Sequence, residues 1–327
     1  MATLSIRREQ FRLAQVFTIS RGSRTHAEVV VVEITDGGHR GRGECVPYSR
    51  YGESVDSVVA QIEGVTAAVV AGADRMAIQS LLPAGAARNA VDCAFWDLEA
   101  KRAGQPAWRL AGLEKAPGPL TTAYTLSLDT PEKMGQAAAA NSHRPLLKIK
   151  LTGEGDLARV EAIRANAPSS RLIVDANEGW SEGHFPEYAP KLAALGVVLI
   201  EQPLHADRDG PLARIARPIP VCADEACHDR HSLPKLAGKY DLVNIKLDKT
   251  GGLTEALELA RAARAAGYGI MVGCMVGTSL AMAPAVLVAQ GAEFVDLDAP
   301  LLMAEDRPGG LRYDGSIVYP ADAALWG

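Results

Sequence analysis

The chain has 327 residues, 48% hydrophobic and 22% charged, with 34 Lys and Arg against 39 Asp and Glu and a formal net charge of −5. That length suits two domains, or one barrel with an attachment, and the acidic balance excludes the basic footprint of a nucleic-acid partner. The five cysteines, at 45, 93, 222, 227 and 274, contain no Cys-x-x-Cys and are odd in number, which argues for reduced thiols in a cytoplasm and against a disulfide framework or zinc site. The N-terminus has no apolar signal core. The longest weakly polar stretch, 270–290, is broken by Gly273, Gly277, Thr278, Ser279 and Pro284, so it reads as a buried strand–loop–helix and not as a membrane span.

Taken in order, residues 4–19 mix apolar and charged side chains and suggest an exposed strand. The run Glu28–Thr35 is richer in β-branched residues and makes a better one. Asp36-Gly37-Gly38 then turns into Gly41–Cys45, a hairpin or meander. From Ser54 to Val70 the residues Val55, Val58, Val59, Ile62, Val65 and Val69 recur at helical steps. Ala86–Ala103 is a second helix, with Val91, Phe95 and Leu98 on one face and Gly104 as its stop. Strands followed by helices imply an α+β domain over 1–118, bounded by Pro117-Gly118-Pro119.

Residues 119–310 alternate strictly. Candidate strands are Thr121–Leu128, Leu146–Lys150, Leu172–Asp175, Val197–Glu201, Ile219–Asp224, Leu242–Lys246, Gly269–Gly273 and Glu293–Leu297, with Ala-rich helices such as Asp156–Ala167 and Thr254–Ala266 between them. This repeat matches a closed parallel barrel. An open doubly wound sheet is the alternative, but Thr121–Leu128 runs into Asp129-Thr-Pro-Glu with no glycine-rich phosphate loop. Residues 311–327 fall outside the repeat and are expected to return to the first domain.

Charged residues close successive strands. From Lys150 to Asp175, Glu201, Asp224 and Lys246 the steps are 25, 26, 23 and 22 residues. The C-terminal ends of barrel strands open on one face, so the three acids would converge there. Uncompensated, they would repel one another and be partly protonated. A hard divalent cation removes the conflict, and all-oxygen ligation suits Mg²⁺. The plainer reading makes each acid a helix cap, which explains one residue better than three in register. Lys150 and Lys246 flank the acids. A lysine near a cation and partly desolvated has a lowered pKa and can accept a proton near neutral pH. Two such groups on opposite faces of one carbon permit removal of a proton from one side and its return from the other. Lys148 shares the side of its strand with Lys150, and its charge would depress the pKa of Lys150 further. Solvated lysines are the usual alternative for such a Lys-x-Lys.

These residues carry a resemblance. Lys148-Ile-Lys150, Asp175-Ala-Asn177, Glu201-Gln-Pro203, Ala223-Asp-Glu225, Asn244-Ile-Lys246-Leu and Lys249-Thr-Gly-Gly252 resemble the enolase superfamily, muconate-lactonizing subgroup. The likeness runs over nearly the whole chain, the Ala86–Lys101 helix included. It implies a modified (β/α)₇β TIM-type barrel, an N-terminal α+β capping domain and a C-terminal segment returning to the cap. The implied chemistry is a 1,1-proton transfer through an enediolate, with Mg²⁺ on Asp175, Glu201 and Asp224, Lys150 and Lys246 as acid and base, Lys148 contacting substrate and Asn177 in support. A Lys or His base beside Mg²⁺ is the established chemistry of such sites. Relatives of the mandelate-racemase type use a His on the seventh strand, which here reads Gly269-Ile-Met-Val-Gly-Cys-Met275 without one. None of the seven histidines has a part in this reading.

Asp296-Leu-Asp298 ends the eighth strand, and both side chains would point into the barrel mouth. Two anions with no cationic partner nearby in sequence suggest a cationic ligand, helix-capping acids being the alternative. By resemblance the pair is similar to that of the dipeptide epimerases, where it holds the substrate's N-terminal ammonium. Arg24, in the turn Ser20–Thr25, would meet the substrate's acidic side chain as a bidentate partner, with Arg21 as the other candidate. Tyr48 and Tyr51 would exclude water. Gly277 departs from the acidic residue of several relatives. The implied substrate is a small molecule, a dipeptide such as L-Ala-D/L-Glu from bacterial cell-wall recycling. An o-succinylbenzoate synthase or N-acylamino-acid racemase on the same scaffold is the rival, and a non-enzymatic binding protein a distant one. A homo-oligomer is compatible with the sequence.

Overall fold

The computed structural model describes residues 2–327. Three antiparallel strands come first: β1 (Thr3–Ile19), β2 (Gly22–Asp36) and β3 (His39–Cys45). Gly37 and Gly38, both at positive φ, make the two-residue turn between β2 and β3, the geometry that fits the twist of a hairpin. Helices α1 (Val55–Val70) and α3 (Ala86–Ala103) pack on this sheet, and α2 (Arg75–Leu81) packs on α3. Ser54 caps α1 through a capping box with Ser57, satisfying donors that the first turn leaves free. Gly41 and Gly43 let β3 lie against α3: a Cβ at either position would stand 2.1 Å from a carbonyl oxygen of that helix.

A short helix α4 (Ala107–Leu110) and strand β4 (Leu120–Thr121) lead into the barrel. Its strands are β5 (Tyr124–Leu126), β6 (Leu146–Lys150), β7 (Arg171–Asp175), β8 (Val197–Glu201), β9 (Val221–Ala223), β10 (Leu242–Ile245), β11 (Gly269–Val272) and β12 (Phe294–Val295), each parallel to the next. The Ala123 amide donates to the Val295 carbonyl at 2.8 Å and joins the last strand to the first. The connecting helices are α5 (Pro131–Ala140), α6 (Asp156–Asn166), α7 (His184–Ala194), α8 (Leu233–Leu236), α9 (Leu247–Thr250), α10 (Leu253–Ala265) and α11 (Ser279–Val288). Between β8 and β9 the chain makes only two 3₁₀ turns, at 206–208 and 210–213. The strand expected over Thr121–Leu128 is divided. Leu120–Thr121 leaves the barrel to pair with β14 (Ile317–Val318), itself paired with β13 (Tyr313–Asp314), while 124–126 joins the ring.

Inward-facing positions explain the core. Ala123, Leu146, Ile173, Leu199, Cys222, Leu242, Met271 and Phe294 form an apolar cluster at the N-terminal ends of the strands. Two residues further along most of the strands the inward positions turn polar or charged, because side chains on one face recur every second residue. At the far end of the chain, Trp326 donates its indole N–H to the Cys93 carbonyl at 3.0 Å. Arg42 Nη2 donates to the carbonyls of Ala324 and Leu325 at 2.9 and 2.6 Å.

Candidate active site

The strand ends carry six buried acids, Asp175, Glu201, Asp224, Glu225, Asp296 and Asp298, and four buried lysines, Lys148, Lys150, Lys246 and Lys249. Lys150 Nζ donates to Asp175 Oδ2 at 2.6 Å, and Lys246 Nζ to Asp224 Oδ2 at 2.7 Å. Strands β6 and β10 stand four apart in a ring of eight, so these lysines rise from opposite walls. The carboxylates of β7, β8 and the end of β9 lie on the arc between them, and Asp296–Asp298 follow β12, across the ring from β8.

Lys148 lines the cavity and meets three acids. Its ammonium lies 2.7 Å from Glu201 Oε2, 2.8 Å from Asp296 Oδ2 and 3.2 Å from Asp175 Oδ2. Burial would lower its pKa, but Asp296, Glu201 and Asp175 outweigh that and raise it well above the ordinary lysine value. Asp296 therefore has a cationic partner 148 residues away in the chain, which corrects the expectation of an unpartnered acid pair. Lys246 is likewise raised: burial opposes its charge, but Asp224 more than compensates. The same pairing holds Asp224 well below the usual carboxylate range against the opposing effect of burial.

Positive charge is still short. Glu201 is pushed up to about 7 by burial and by Asp175. Its Oε1 accepts from Asn244 Nδ2 at 2.7 Å, whereas Oε2, although close to Lys148, receives no well-directed hydrogen bond. Asp298 is also pushed up to about 7, by burial and then by Asp296. One of its oxygens accepts from the Thr125 amide at 2.6 Å, and Asp296 Oδ1 is buried without a partner. Among the described residues no three acidic, His or Cys side chains already converge as a metal cage; the Lys148 ammonium stands among Asp175, Glu201 and Asp296 instead. The donor set nevertheless fits a hard divalent cation: three buried carboxylates from consecutive strand ends, all oxygen, with an orphaned oxygen on Glu201.

The cap closes the mouth. β1 and β2 form a long ribbon whose two-residue tip is Ser20–Arg21, so Arg24 sits in β2 paired with Phe17 and not in a turn as expected. Gly22 and Ser23 look like turn residues in the sequence but continue the strand. The Leu128 amide donates to the Thr18 carbonyl at 3.0 Å, and Ser20 Oγ and Arg21 Nη1 donate to the Asn177 carbonyl at 3.0 and 2.8 Å. Asn177 turns that carbonyl toward the ribbon from a φ of 43°, backbone strain of a kind that gathers at functional sites. Its side chain reaches Glu225 Oε1 at 3.4 Å.

Arg21 is committed to the protein. It donates to Glu225 Oε1 at 2.7 Å and to the Tyr48 hydroxyl at 2.8 Å. Arg24 makes no ion pair among the described residues; its guanidinium lies 5.5 Å from the centre of the Tyr48 ring. A cavity of about 80 Å³ lies beneath, lined by Arg24, Lys148, Lys150, Lys246, Asp296 and Asp298 among others. Phe17, Ile19, Tyr48, Tyr51, Met275 and Leu302 supply much of its apolar wall, and no histidine lines it.

Three contributors escaped the sequence reading. Lys249 and Asn244 belong to quoted motifs, but only the three-dimensional arrangement shows them gripping Asp224 and Glu201. The available signal for Lys249 was its spacing, about one helical turn after Lys246. Gln202, at a φ of 33°, accepts the amides of Asp224 and Ala226 on its side-chain oxygen at 2.9 and 3.0 Å; nothing in its local sequence signals that.

The comparisons agree with this geometry. Residues 1–112 match the mandelate racemase/muconate lactonizing enzyme N-terminal domain, and residues 132–310 match the enolase C-terminal domain-like family. An L-Ala-D/L-Glu epimerase of Escherichia coli (strain K12) is 46% identical over 315 residues, covering 96% of this chain and 98% of the relative. An N-acetyl-D-glutamate racemase of a Pseudoalteromonas species is 47% identical over 301 residues, covering 91% and 95%. The solved structure of an enolase family member from Agrobacterium tumefaciens, with bound sodium and L-Ala-L-Glu, superposes with a TM-score of 0.99 at 54% identity over 100% of both chains. A dipeptide epimerase from Cytophaga hutchinsonii, complexed with Mg and D-Ala-L-Val, gives 0.90 at 29% identity over 98% and 93%. With both family models matched in order along one chain, and with lysines facing each other across carboxylates at the strand ends, this protein belongs to the mandelate racemase/muconate lactonizing enzyme family of the enolase superfamily.

Proposed function

We propose that this protein is a Mg²⁺-dependent dipeptide epimerase that inverts the glutamate α-carbon of L-Ala-D/L-Glu. The observation that carries the reading is the placement of Lys150 and Lys246 on opposite walls of one cavity, with the carboxylate arc on one side and Asp296–Asp298 across from it. An α-carbon held between the two lysine nitrogens presents its hydrogen to one lysine and its opposite face to the other. One lysine, deprotonated, takes the α-proton, and the other returns a proton from the far side, which inverts the centre. Asp175, Glu201 and Asp224 would hold Mg²⁺, which supplies positive charge for the substrate carboxylate as charge develops on its oxygens. Asp296 and Asp298 receive the N-terminal ammonium, relieving the buried acid pair. Arg24 faces the glutamate side chain as a fork for a carboxylate. The ribbon and the Tyr48–Tyr51 segment keep water from the exposed α-carbon.

A second reading is favoured by the 47% identity to an N-acetyl-D-glutamate racemase. An N-acyl substrate has no ammonium to offer Asp296 and Asp298. Incubation with Mg²⁺ in D₂O separates the two. Deuterium should enter the glutamate α-position of L-Ala-D-Glu and L-Ala-L-Glu much faster than that of N-acetyl-D-glutamate. Faster exchange of the N-acetyl compound would refute the dipeptide assignment.

A further inference from the structure

We infer that Lys249 is a positioning residue for Asp224, and that the cap governs it through the turn on which it sits. The inference rests on the metal reading above. Lys249 is fully buried at its side chain, and its ammonium has three acceptors: Asp224 Oδ1 at 2.6 Å, the Asp224 carbonyl at 2.5 Å and the Asn244 carbonyl at 2.9 Å. All three of its N–H donors are thereby used. One amino group thus grips both the backbone and one carboxylate oxygen of Asp224, leaving Oδ2 turned toward Lys246.

The turn that delivers Lys249 is α9, a single turn that directly follows Lys246. Its backbone then passes through Gly251 at φ +73° and Gly252 at φ +111°, where a Cβ would run into the side chains of Arg88 and Asp92. Those side chains belong to α3 of the cap. Arg88 donates to the Thr250 carbonyl at 2.7 Å and to the Gly251 carbonyl at 3.1 Å. Asp248, one residue before Lys249, accepts from Asn89 Nδ2 at 2.8 Å and from the Val46 amide at 3.0 Å. The cap therefore holds the turn on both sides of Lys249, and the turn holds Asp224.

Charge and geometry make opposite demands here. If Lys249 acted only as a positive charge beside a cation site, its removal would tighten Mg²⁺ binding, since like charges repel. If it aligns a ligand, its removal weakens binding, as loss of partners that orient metal ligands does by roughly tenfold to a hundredfold. Calorimetric titration of Mg²⁺ into the full-length protein, without dipeptide, reads the sign directly. Lys249→Met is expected to weaken Mg²⁺ binding about tenfold or more. Arg88→Lys preserves every charge but loses the fork that spans two carbonyls; it is expected to weaken binding in the same direction and by less than Lys249→Met does. Thermal unfolding of each variant reports whether it is folded, and Arg88→Lys, the milder change, decides the matter if Lys249→Met does not fold. Mg²⁺ bound as tightly as by the wild type, or more tightly, overturns the inference while leaving the metal reading intact. Wild-type protein that takes up no Mg²⁺ overturns the metal reading and this inference with it.

Discussion

The inside of the barrel is two materials on one set of strands. At the N-terminal end Leu146, Ile173, Leu199, Cys222, Leu242, Met271 and Phe294 close the ring with an apolar plug. Two residues along β6, β7, β8 and β9, the same inward positions carry Lys148, Asp175, Glu201 and Asp224. The plug removes hydrocarbon from water and makes no demand on charge. The mouth buries ions that fall short of neutralising one another, so its acids have displaced pKa values. The difference teaches that stability and reactivity lie a single inward step apart on the same strand. Changes in the plug should be read in stability and changes in the mouth in rate.

The sharpest division comes from the two lysines. Lys150→Met and Lys246→Met should each reduce epimerisation of L-Ala-Glu by about 10²- to 10⁴-fold, the usual contribution of a general acid or base. Each variant should keep α-deuterium exchange with only one epimer, and the two variants should keep opposite ones; NMR in D₂O reads this. Exchange of both epimers by either variant would show that a single group serves both faces.

Leu199→Ala should do the reverse. Leu199 is fully buried in the plug, and such truncations cost about 2–5 kcal/mol. The denaturation midpoint should fall while KM for the dipeptide stays near that of the wild type. A changed KM with unchanged stability would break the division.

Within the mouth, Asp296→Asn and Asp298→Asn should raise KM for dipeptides by about tenfold to a hundredfold, the loss of one charge-assisted hydrogen bond, and leave N-acetyl-D-glutamate little affected. Equal losses on both substrates would remove the ammonium from the account of Asp296 and Asp298.

The smallest effect is a pH dependence. Asp298 is raised to about 7 by burial and by Asp296, with Lys148 pulling the other way. Its folded-state pKa lies above the unfolded value of about 3.9, so the native state holds this proton more tightly. The associated stability is complete below the unfolded value and is lost as pH rises through about 7. The metal-free wild type should therefore lose a few degrees of Tm between about pH 4 and pH 8. Asp298→Asn should flatten that slope. A slope unchanged in the variant would assign the titration elsewhere.

Much of this was legible in the sequence, and the reasons differ by residue. Asp175, Glu201, Asp224 and Lys246 could be placed because a barrel repeats one strand and one connection, and the charges recur at that step. Helix Ala86–Ala103 was legible from its periodicity and its Gly104 stop, and the structure gives it the same bounds. Arg24 was misplaced because Gly22-Ser23 has turn composition, while pairing with Phe17 and Thr18 holds that segment as a strand. The strand Thr121–Leu128 was read too long because its first residues pair with a segment near the chain's end, a contact that no local pattern announces.

What the sequence alone determined was the kind of chemistry: strand-end carboxylates and lysines spaced by the barrel period, with an acid pair beyond. Those properties are local, one side chain at the end of one strand, and periodicity carries them. What only the tertiary structure decided was which charge meets which. Lys148 finds Asp296 two strands away around the closed ring, Arg21 is spent on Glu225 while Arg24 remains unpaired among the described residues, and Lys249 grips Asp224 from a turn held by the cap. The physical reason is that burial makes charge pairing obligatory, while the partner is chosen by closure of the ring and docking of the cap, and both join residues far apart in the chain.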